Sequence, residues 1–145
     1  MDQSDENSKY KGFCYCGKVH YSVNKNTQPH SSCYCHCESC RRAHSAPLYQ
    51  VVYVPKADFN ITQGVEFISR FCKDGSTVTR AFCRECGSRI YNTLARDDDW
   101  WGFFPATLEE SIQHNLPSQF LPSTHNLAEE TVLSEINEIC VYAKK

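Results

Sequence analysis

The sequence lacks the features that direct a chain to nucleic acid, into a membrane or out of the cell. Its 15 lysine and arginine residues face 17 aspartate and glutamate residues, so it has no basic excess for binding nucleic-acid phosphates. It has no run of about 18 apolar residues, so no transmembrane helix is predicted. Residues 1–8 are largely polar and acidic, unlike a secretory signal. We therefore expect no nucleic-acid partner, no membrane association, and a cytoplasmic location with the nucleus as an alternative.

The sequence also lacks internal repeats and low-complexity segments. Its 145 residues are the length of one domain, and its 41% hydrophobic residues are enough for a modest core. The polar start of the chain predicts a flexible N-terminal tail over residues 1–11, followed by a single domain over residues 12–145.

Short alternating or β-branched segments dominate the chain after the tail. Such segments are typical of half-buried strands, and Asp74-Gly75 is a typical hairpin turn. The predicted strands cover residues 19–23, 51–54, 65–71, 77–82 and 88–93. Several short strands with turn signals between them predict a mainly β domain of antiparallel sheets.

The C-terminal third predicts short helical or irregular segments instead. Thr107 and Glu110 have the spacing of a capping box, which favours a short helix that starts there. From Leu127 onward, apolar residues recur at helical spacing, namely Val132, Leu133, Ile136, Ile139, Cys140 and Ala143. Residues 139–142 would also serve as a strand, so both interpretations stay open.

Cysteine is the residue that the sequence has in abundance, with ten in 145 residues. In a chain without a secretory route, thiols stay reduced. Dense cysteine then indicates metal binding or thiol chemistry rather than disulfides.

Two cysteine pairs have a matching form. Cys14-x-Cys16 and Cys83-x-x-Cys86 are each followed by a glycine, which permits the backbone turn that aims two sulfurs at one point. Two such pairs from distant places make a Cys₄ set, the closed form of a structural zinc site. We predict that one zinc ion joins the first strand to the hairpin over residues 77–93. The alternative is that the pairs are unrelated buried thiols.

A denser group lies between these pairs. Cys35, Cys37 and Cys40 offer three thiolates, which leave one tetrahedral position open to water or an incoming thiol, as in catalytic zinc sites. Cys33 is a possible fourth ligand that would close the site. His36 lies between two proposed ligands, so its ring is predicted to point away. The spacing fits neither common ferredoxin pattern, which disfavours an iron–sulfur cluster.

Arg41, Arg42 and His44 follow the last of these cysteines. The arginines can neutralise a thiolate-rich site or bind a substrate carboxylate, and they are equally typical of a solvated turn. His44 is a candidate proton shuttle, although a loop histidine commonly has no such role. Four aromatic residues can wall a cleft beside the site or belong to the core, namely Trp100, Trp101, Phe103 and Phe104.

With both cysteine groups in view, the sequence resembles the glutathione-dependent formaldehyde-activating enzyme family, which also includes centromere protein V. The resemblance is carried by GFCYCGKV at 12–19, CHCESCRR at 35–42 and FCRECGS at 82–88, with weaker similarity at 106–110 and 122–125. The sequence departs from the family pattern at residues 43–47, where a glycine-alanine pair is usual, and in its additional Cys33. It also lacks a tryptophan after His125.

The resemblance implies antiparallel sheets that meet like a tent, and two zinc ions per chain. It implies a structural zinc on Cys14, Cys16, Cys83 and Cys86 and a functional zinc on Cys35, Cys37 and Cys40. It further implies a carbon–sulfur lyase-type enzyme that joins formaldehyde to glutathione as S-(hydroxymethyl)glutathione, or that acts on a related small thiol adduct. Glutathione is then the expected small-thiol partner.

Two other classes of function stay open at this level. One is a non-catalytic, zinc-stapled binding module that acts through a protein partner. The other is a metal- or thiol-linked sensor that uses Cys33, Cys72 or Cys140. A cleft beside the three-cysteine group favours the enzyme, whereas a site closed by Cys33 without a cleft disfavours it.

Overall fold

The computed structural model describes residues 7–95 and 97–134, without the side chains of residues 97 and 98. The described residues form ten β-strands, two α-helices and five short 3₁₀-helices. The strands are β1 (Lys9–Phe13), β2 (His20–Asn24), β3 (Ser31–Cys35), β4 (Tyr49–Pro55), β5 (Phe59–Gln63), β6 (Ile68–Cys72), β7 (Val78–Cys83), β8 (Arg89–Leu94), β9 (Asp97–Phe103) and β10 (Thr124–Asn126). The α-helices are α1 (Glu38–His44) and α2 (Glu110–His114). The 3₁₀-helices are Lys56–Asp58, Val65–Phe67, Pro105–Thr107, Ser118–Phe120 and Ala128–Glu130.

The strands form two sheets. The small sheet has the order β1-β2-β5, and the large sheet has the order β10-β3-β4-β9-β8-β7-β6. Among the described strands, the pairings are antiparallel except for the parallel pair of β10 and β3. The prediction of a mainly β chain with antiparallel sheets and short helical segments is confirmed, with one parallel pair at the edge of the large sheet. The tent-like meeting of the sheets stays a prediction.

The main core contains side chains from the small sheet and from one face of the large sheet. Tyr21 of β2 stacks on Phe59 of β5 with ring centroids 5.1 Å apart, and it approaches the Phe103 ring of β9 at 6.1 Å. Alternation along β4 places Val52 in this core and Val51 in a separate cluster on the opposite face. The opposite face of the large sheet lies outside the main core, and its side chains are therefore available to form a functional site.

A close contact between the first two strands depends on Gly12. Gly12 pairs with Tyr21 across β1 and β2, and a Cβ at position 12 would lie 2.3 Å from Cζ of the tyrosine ring. The hydroxyl of that buried ring is held at 2.8 Å from Thr107 Oγ1. A larger residue at position 12 would therefore force Tyr21 out of its place in the core.

Three element boundaries differ from those that the sequence predicts. β1 begins at Lys9, inside the tail predicted over residues 1–11, because residues 9–13 pair with β2. The strand predicted over residues 65–71 begins with a 3₁₀-helix, which follows Gly64 in the left-handed region at φ 80°. α2 begins at Glu110, and the Thr107 hydroxyl donates to the Phe104 carbonyl at 2.9 Å instead of capping a helix.

The periodicity predicts a helix from Leu127 onward. In the described part of this segment, the structure has one 3₁₀-helix, Ala128–Glu130. Residues 135–145 lie outside the described residues, and they include Cys140 and the alternative strand over residues 139–142. In the described part of the chain, no helix has the length and apolar character needed to span a membrane.

Candidate metal centres and active site

Four cysteine sulfurs from two separate loops meet at one point. The loop after β1 carries Cys14 and Cys16, and the end of β7 with its following loop carries Cys83 and Cys86. The four sulfur atoms lie within 4.8 Å of one another. The two pairs therefore form a single set of ligands, as their matching form predicts.

The two loops that carry these cysteines share a backbone geometry. In each loop the backbone N–H of the first cysteine donates to a carbonyl at the far end of the loop, at 3.0 Å for Cys14 and 2.9 Å for Cys83. Each loop turns at a glycine in the left-handed region, with φ of 79° at Gly17 and 80° at Gly87. That conformation costs an L side chain roughly 1–2 kcal/mol, so glycine is the favoured residue after each pair.

The chemistry of this donor set fits a structural zinc ion. All four donors are cysteine sulfurs, which select soft or borderline metals, and four of them complete a tetrahedral shell. An ion held there would connect the small sheet, through β1, to the large sheet, through β7.

A second group of three cysteines surrounds the start of α1. Cys35 ends β3, Cys37 is the N-cap of α1, and Cys40 lies in its first turn. The Cys37 sulfur accepts the backbone N–H of Cys40 at 3.3 Å, and the three sulfurs lie within 4.8 Å of one another. Three cysteine donors fit a zinc ion and leave one tetrahedral position for a further ligand.

Cys33 lies outside this three-cysteine group. Alternation along β3 places Cys33 and Cys35 on the same face, yet the sulfurs that gather within 4.8 Å are those of Cys35, Cys37 and Cys40. Cys33 packs instead with Val51 in the smaller apolar cluster. The structure therefore favours an open site over one that Cys33 closes.

Cys40 is the member of the group that its neighbours stabilise as a thiolate. Its sulfur lies 3.4 Å from the Tyr49 hydroxyl and 3.7 Å from Nη2 of Arg80. The hydrogen bond from Cys35 lowers the pKa of Cys40 to about 5, and Cys37, Tyr49 and Arg80 add to this effect against the opposing effect of burial. The thiolate is the form of cysteine that ligates a metal.

A cavity of about 390 Å³ opens beside the three cysteines. Its volume lies within the range of small-molecule sites. Besides Cys33 and the three-cysteine group, its wall includes the aromatic or polar side chains of His30, Tyr49, Tyr53, Arg80, Asn92, Trp100 and Asn126. The cleft that distinguishes an enzyme from a closed structural site is therefore present.

Two polar side chains in the cavity wall are buried with atoms that lack partners. Arg80 is 8% exposed and Asn92 is 1% exposed. Among the described residues, Nη1 of Arg80 and both amide atoms of Asn92 have no hydrogen-bond partner. An unsatisfied buried polar atom costs about 1–3 kcal/mol, so such atoms call for a ligand or an ordered water. Sequence reasoning missed both residues, and the only signal for them is a polar side chain in the middle of a predicted strand.

Comparison with known proteins identifies the family of this site. The sequence model described as glutathione-dependent formaldehyde-activating enzyme matches residues 9–128, which include both cysteine groups, Arg80 and Asn92. The chain belongs to the glutathione-dependent formaldehyde-activating enzyme family. The resemblance seen in the sequence is thus confirmed.

Two relatives support the family membership. The chain is 32% identical over 138 residues to a Schizosaccharomyces pombe protein named as an uncharacterized lyase, with 90% of this chain and 94% of that protein covered. The crystal structure of a Rhodobacter sphaeroides protein has a TM-score of 0.60 at 23% identity, with 79% of this chain and 97% of that one covered. The second likeness shows a shared fold.

In this member of the glutathione-dependent formaldehyde-activating enzyme family, Arg41 and Arg42 contact residues other than the three cysteines. Nε of Arg41 donates to the His36 carbonyl at 3.0 Å, which braces the loop between two candidate ligands. Arg42 pairs with Glu38 at 3.0 Å on the exposed side of α1. The positive charge beside the thiolates comes from Arg80 instead, because sheet pairing brings β7 towards the site.

His44 is half-buried against aromatic rings and is not among the residues that line the three-cysteine cavity. Its ring stacks on Tyr49 at 3.8 Å between centroids and meets Phe104 edge-on at 5.0 Å. Burial, helped by the charges of Arg80 and Arg89, lowers the pKa of His44 to about 3. A proton shuttle needs a pKa near the working pH, so the position and the lowered pKa of His44 disfavour that role, which stays a prediction.

His36 turns away from the three cysteines, as its place between two of them predicts. It is completely buried, with Nε2 at 2.8 Å from Nδ1 of His125 and Nδ1 at 3.0 Å from Oγ1 of Thr131. Burial, with His125 nearby, lowers the pKa of His36. A neutral His36 thus links the ligand loop to β10 and to the segment that follows it.

Of the four aromatic residues proposed for a cleft wall, Trp100 lines the cavity. Trp101 and Phe103 pack with the main core, and Phe104 belongs to the smaller cluster. Alternation along β9 explains the division, because Trp100 and Trp101 point to opposite faces of the sheet.

Proposed function

We propose that the protein is a zinc-dependent enzyme of carbon–sulfur lyase type. Its reactants on this proposal are formaldehyde and glutathione, joined as S-(hydroxymethyl)glutathione, or a related small thiol adduct. The observation that carries the proposal is an open three-cysteine group in the wall of a cavity of about 390 Å³. Membership of the family and the relative named as a lyase support it.

Two zinc ions per chain are part of this proposal. Cys14, Cys16, Cys83 and Cys86 would hold the structural ion, and Cys35, Cys37 and Cys40 would hold the functional one. Bound at the second group, zinc would supply Lewis acidity and favour the deprotonated form of a substrate thiol at neutral pH.

The cavity contributes confinement and orientation. Tyr49, Tyr53 and Trp100 give its wall aromatic surfaces, and the Tyr49 hydroxyl lies 3.4 Å from the sulfur of Cys40. Such walls exclude bulk water and hold the aldehyde carbon against the thiol sulfur. Because the reaction requires mainly that these two atoms approach in the right direction, positioning supplies a large part of the acceleration.

A basic groove beside the cavity suits the carboxylates of glutathione. This groove is a hollow of about 370 Å³ that shares Arg80 with the cavity. Its wall carries the cationic side chains of Arg42, Lys73 and Arg89 and the acidic side chain of Glu38. The excess of positive charge favours carboxylates, and on this proposal the groove attracts the carboxylates of a thiol that is bound in the cavity.

Exchange NMR of formaldehyde with glutathione, with and without the zinc-loaded protein, tests the proposal. We expect exchange faster than the uncatalysed background with wild type and with Cys72→Ala, because Cys72 is exposed and belongs to neither cysteine group. Cys40→Ala should return the rate to background, since it removes one sulfur of the open group. Background exchange with the zinc-loaded wild type would contradict an enzyme and favour a zinc-stapled binding module.

A further inference from the structure

A polar row crosses the large sheet beneath the cavity. Arg80 of β7 pairs with Asn92 of β8, and Asn92 pairs with Gly102 of β9. Gly102 in turn pairs with Tyr53 of β4. Residues that pair directly point to the same face of a sheet. The heads of Arg80 and Asn92 therefore lie side by side in the cavity wall.

This pair presents three polar atoms without a hydrogen-bond partner among the described residues, and the Tyr53 hydroxyl approaches Asn92 from across Gly102 on the same face of the sheet. Nη1 of Arg80 and Nδ2 of Asn92 are donors, Oδ1 of Asn92 is an acceptor, and none has a hydrogen-bond partner among the described residues. Both side chains are more than nine-tenths buried. The described residues that line the cavity include no aspartate or glutamate. A ligand oxygen that accepts two hydrogen bonds and carries a hydroxyl hydrogen would satisfy all three atoms.

The Arg80 guanidinium connects this pair to the three-cysteine group. Its Nη2 lies 3.7 Å from the Cys40 sulfur, while Nη1 is the unpartnered end of the same planar group. The three cysteines and this guanidinium line the same cavity, so a thiol bound at the cysteines would react within reach of Arg80. An oxygen on the carbon that the thiol sulfur attacks is the substrate atom that the polar pair is placed to meet.

We propose that Arg80 and Asn92 form a subsite for the substrate oxygen, which is the oxygen on the carbon that becomes bonded to the thiol sulfur. This inference rests on the function proposed above. It assigns both side chains to direct contact with a reacting atom.

The reaction balances without a redox partner. In the direction of synthesis the thiol sulfur attacks the aldehyde carbon and the S–C bond forms. The π electron pair of the C=O bond moves to oxygen, which takes up the proton that the thiol releases. Nη1 of Arg80 and Nδ2 of Asn92 donate to that oxygen as its negative charge develops. Oδ1 of Asn92 accepts the hydroxyl hydrogen of the product, and the guanidinium stays protonated throughout.

Asn92→Leu tests the subsite without touching a cysteine. It keeps most of the side-chain volume and removes both amide atoms. We expect the catalysed exchange rate to fall by about 100-fold, the usual loss for one such donor. Binding of S-methylglutathione, which has no oxygen on that carbon, should change by less than about threefold, and zinc content should be unchanged. Thr93→Val, on the other face of β8, is the matched control and should keep the wild-type rate.

Asn92→Asp and Arg80→Lys complete the test if Asn92→Leu does not fold. Asn92→Asp keeps the shape but loses the donor, and Arg80→Lys keeps the charge but loses the planar pair of donors, so both should slow exchange. Rates within threefold of wild type would overturn the subsite and leave the proposed enzyme intact. Equal losses of rate and of S-methylglutathione binding would also overturn it. Absence of catalysis in wild type would instead overturn the proposed function itself.

Discussion

Arg42 and Arg80 show how burial decides the strength of an ionic contact at the scale of single residues. Arg42 and its partner Glu38 are 78% and 60% exposed, so solvent screens their attraction. Arg80 is 8% exposed and meets the Cys40 sulfur where the dielectric constant is lower. The residue that neutralises the thiolates is therefore Arg80, which lies 40 positions from Cys40 along the chain. It is not Arg42, which lies two positions from Cys40.

His44 gives a prediction about acid stability. Its pKa falls from 6.5 to about 3 in the folded protein, so between these values the unfolded chain binds a proton that the folded chain does not. The free energy of unfolding therefore falls as the pH drops from 7 to 5. We expect His44→Phe, which keeps a flat ring against Tyr49, to reduce that fall by about 1–2 kcal/mol in urea unfolding.

The control for this prediction is a substitution that removes no titratable group. Val65 is 68% exposed, so Val65→Ala should leave the pH dependence of unfolding as it is in wild type. If His44→Phe also matched wild type from pH 7 to pH 5, burial would not be keeping His44 neutral.

At the scale of elements, α1 and the turn between β6 and β7 enclose the basic groove. α1 begins where the Cys37 sulfur caps it and ends at Ser45, whose φ of 53° stops the helix. Cys40 and Arg42 are two positions apart on this helix and lie on different sides of it, so Cys40 lines the cavity and Arg42 lines the groove. The turn after β6 brings Lys73 to the opposite wall of the groove.

This groove predicts selectivity for thiols that carry a carboxylate. Lys73→Glu reverses an exposed charge in its wall, so we expect the KM for glutathione to rise by about fivefold, as for loss of one charged contact of roughly 1 kcal/mol. Exchange with cysteamine, which has no carboxylate, should be unchanged, and exchange NMR with each thiol measures the difference. Lys25→Glu, outside the groove, is the control. An equal effect on both thiols would rule out carboxylate binding by Lys73.

At the scale of the whole molecule, the two cysteine groups differ in how much chain they connect. The four-cysteine group joins β1 of the small sheet to β7 of the large sheet, whereas the three-cysteine group spans residues 35–40. A metal that closes a long loop restricts the unfolded chain more than one that closes a short loop. The first site should therefore contribute more to stability than the second.

Variants at the two groups test this difference. We expect metal analysis to return two zinc ions per chain in wild type and one in both Cys16→Ala and Cys40→Ala. The Tm should fall by about 10 °C or more in Cys16→Ala and by clearly less in Cys40→Ala. Tyr15→Ala, at a side chain 93% exposed in the same loop as Cys16, should keep both zinc ions and the wild-type Tm. Equal losses of Tm in the two cysteine variants would contradict the division into structural and functional sites.

The sequence by itself determined that Cys14 lies close to Cys16, Cys83 to Cys86, and Cys37 to Cys35 and Cys40, because residues two or three positions apart are close whatever the fold. It also located β2, β4, β7 and β8 and most of β6, through alternation or through runs rich in β-branched residues. Tertiary structure decided that Cys33 stays outside its group and that Arg80 and Asn92 complete the cavity. β7 and β8 reach the site only through the order β3-β4-β9-β8-β7. That order follows from the packing of distant segments, which local spacing does not encode.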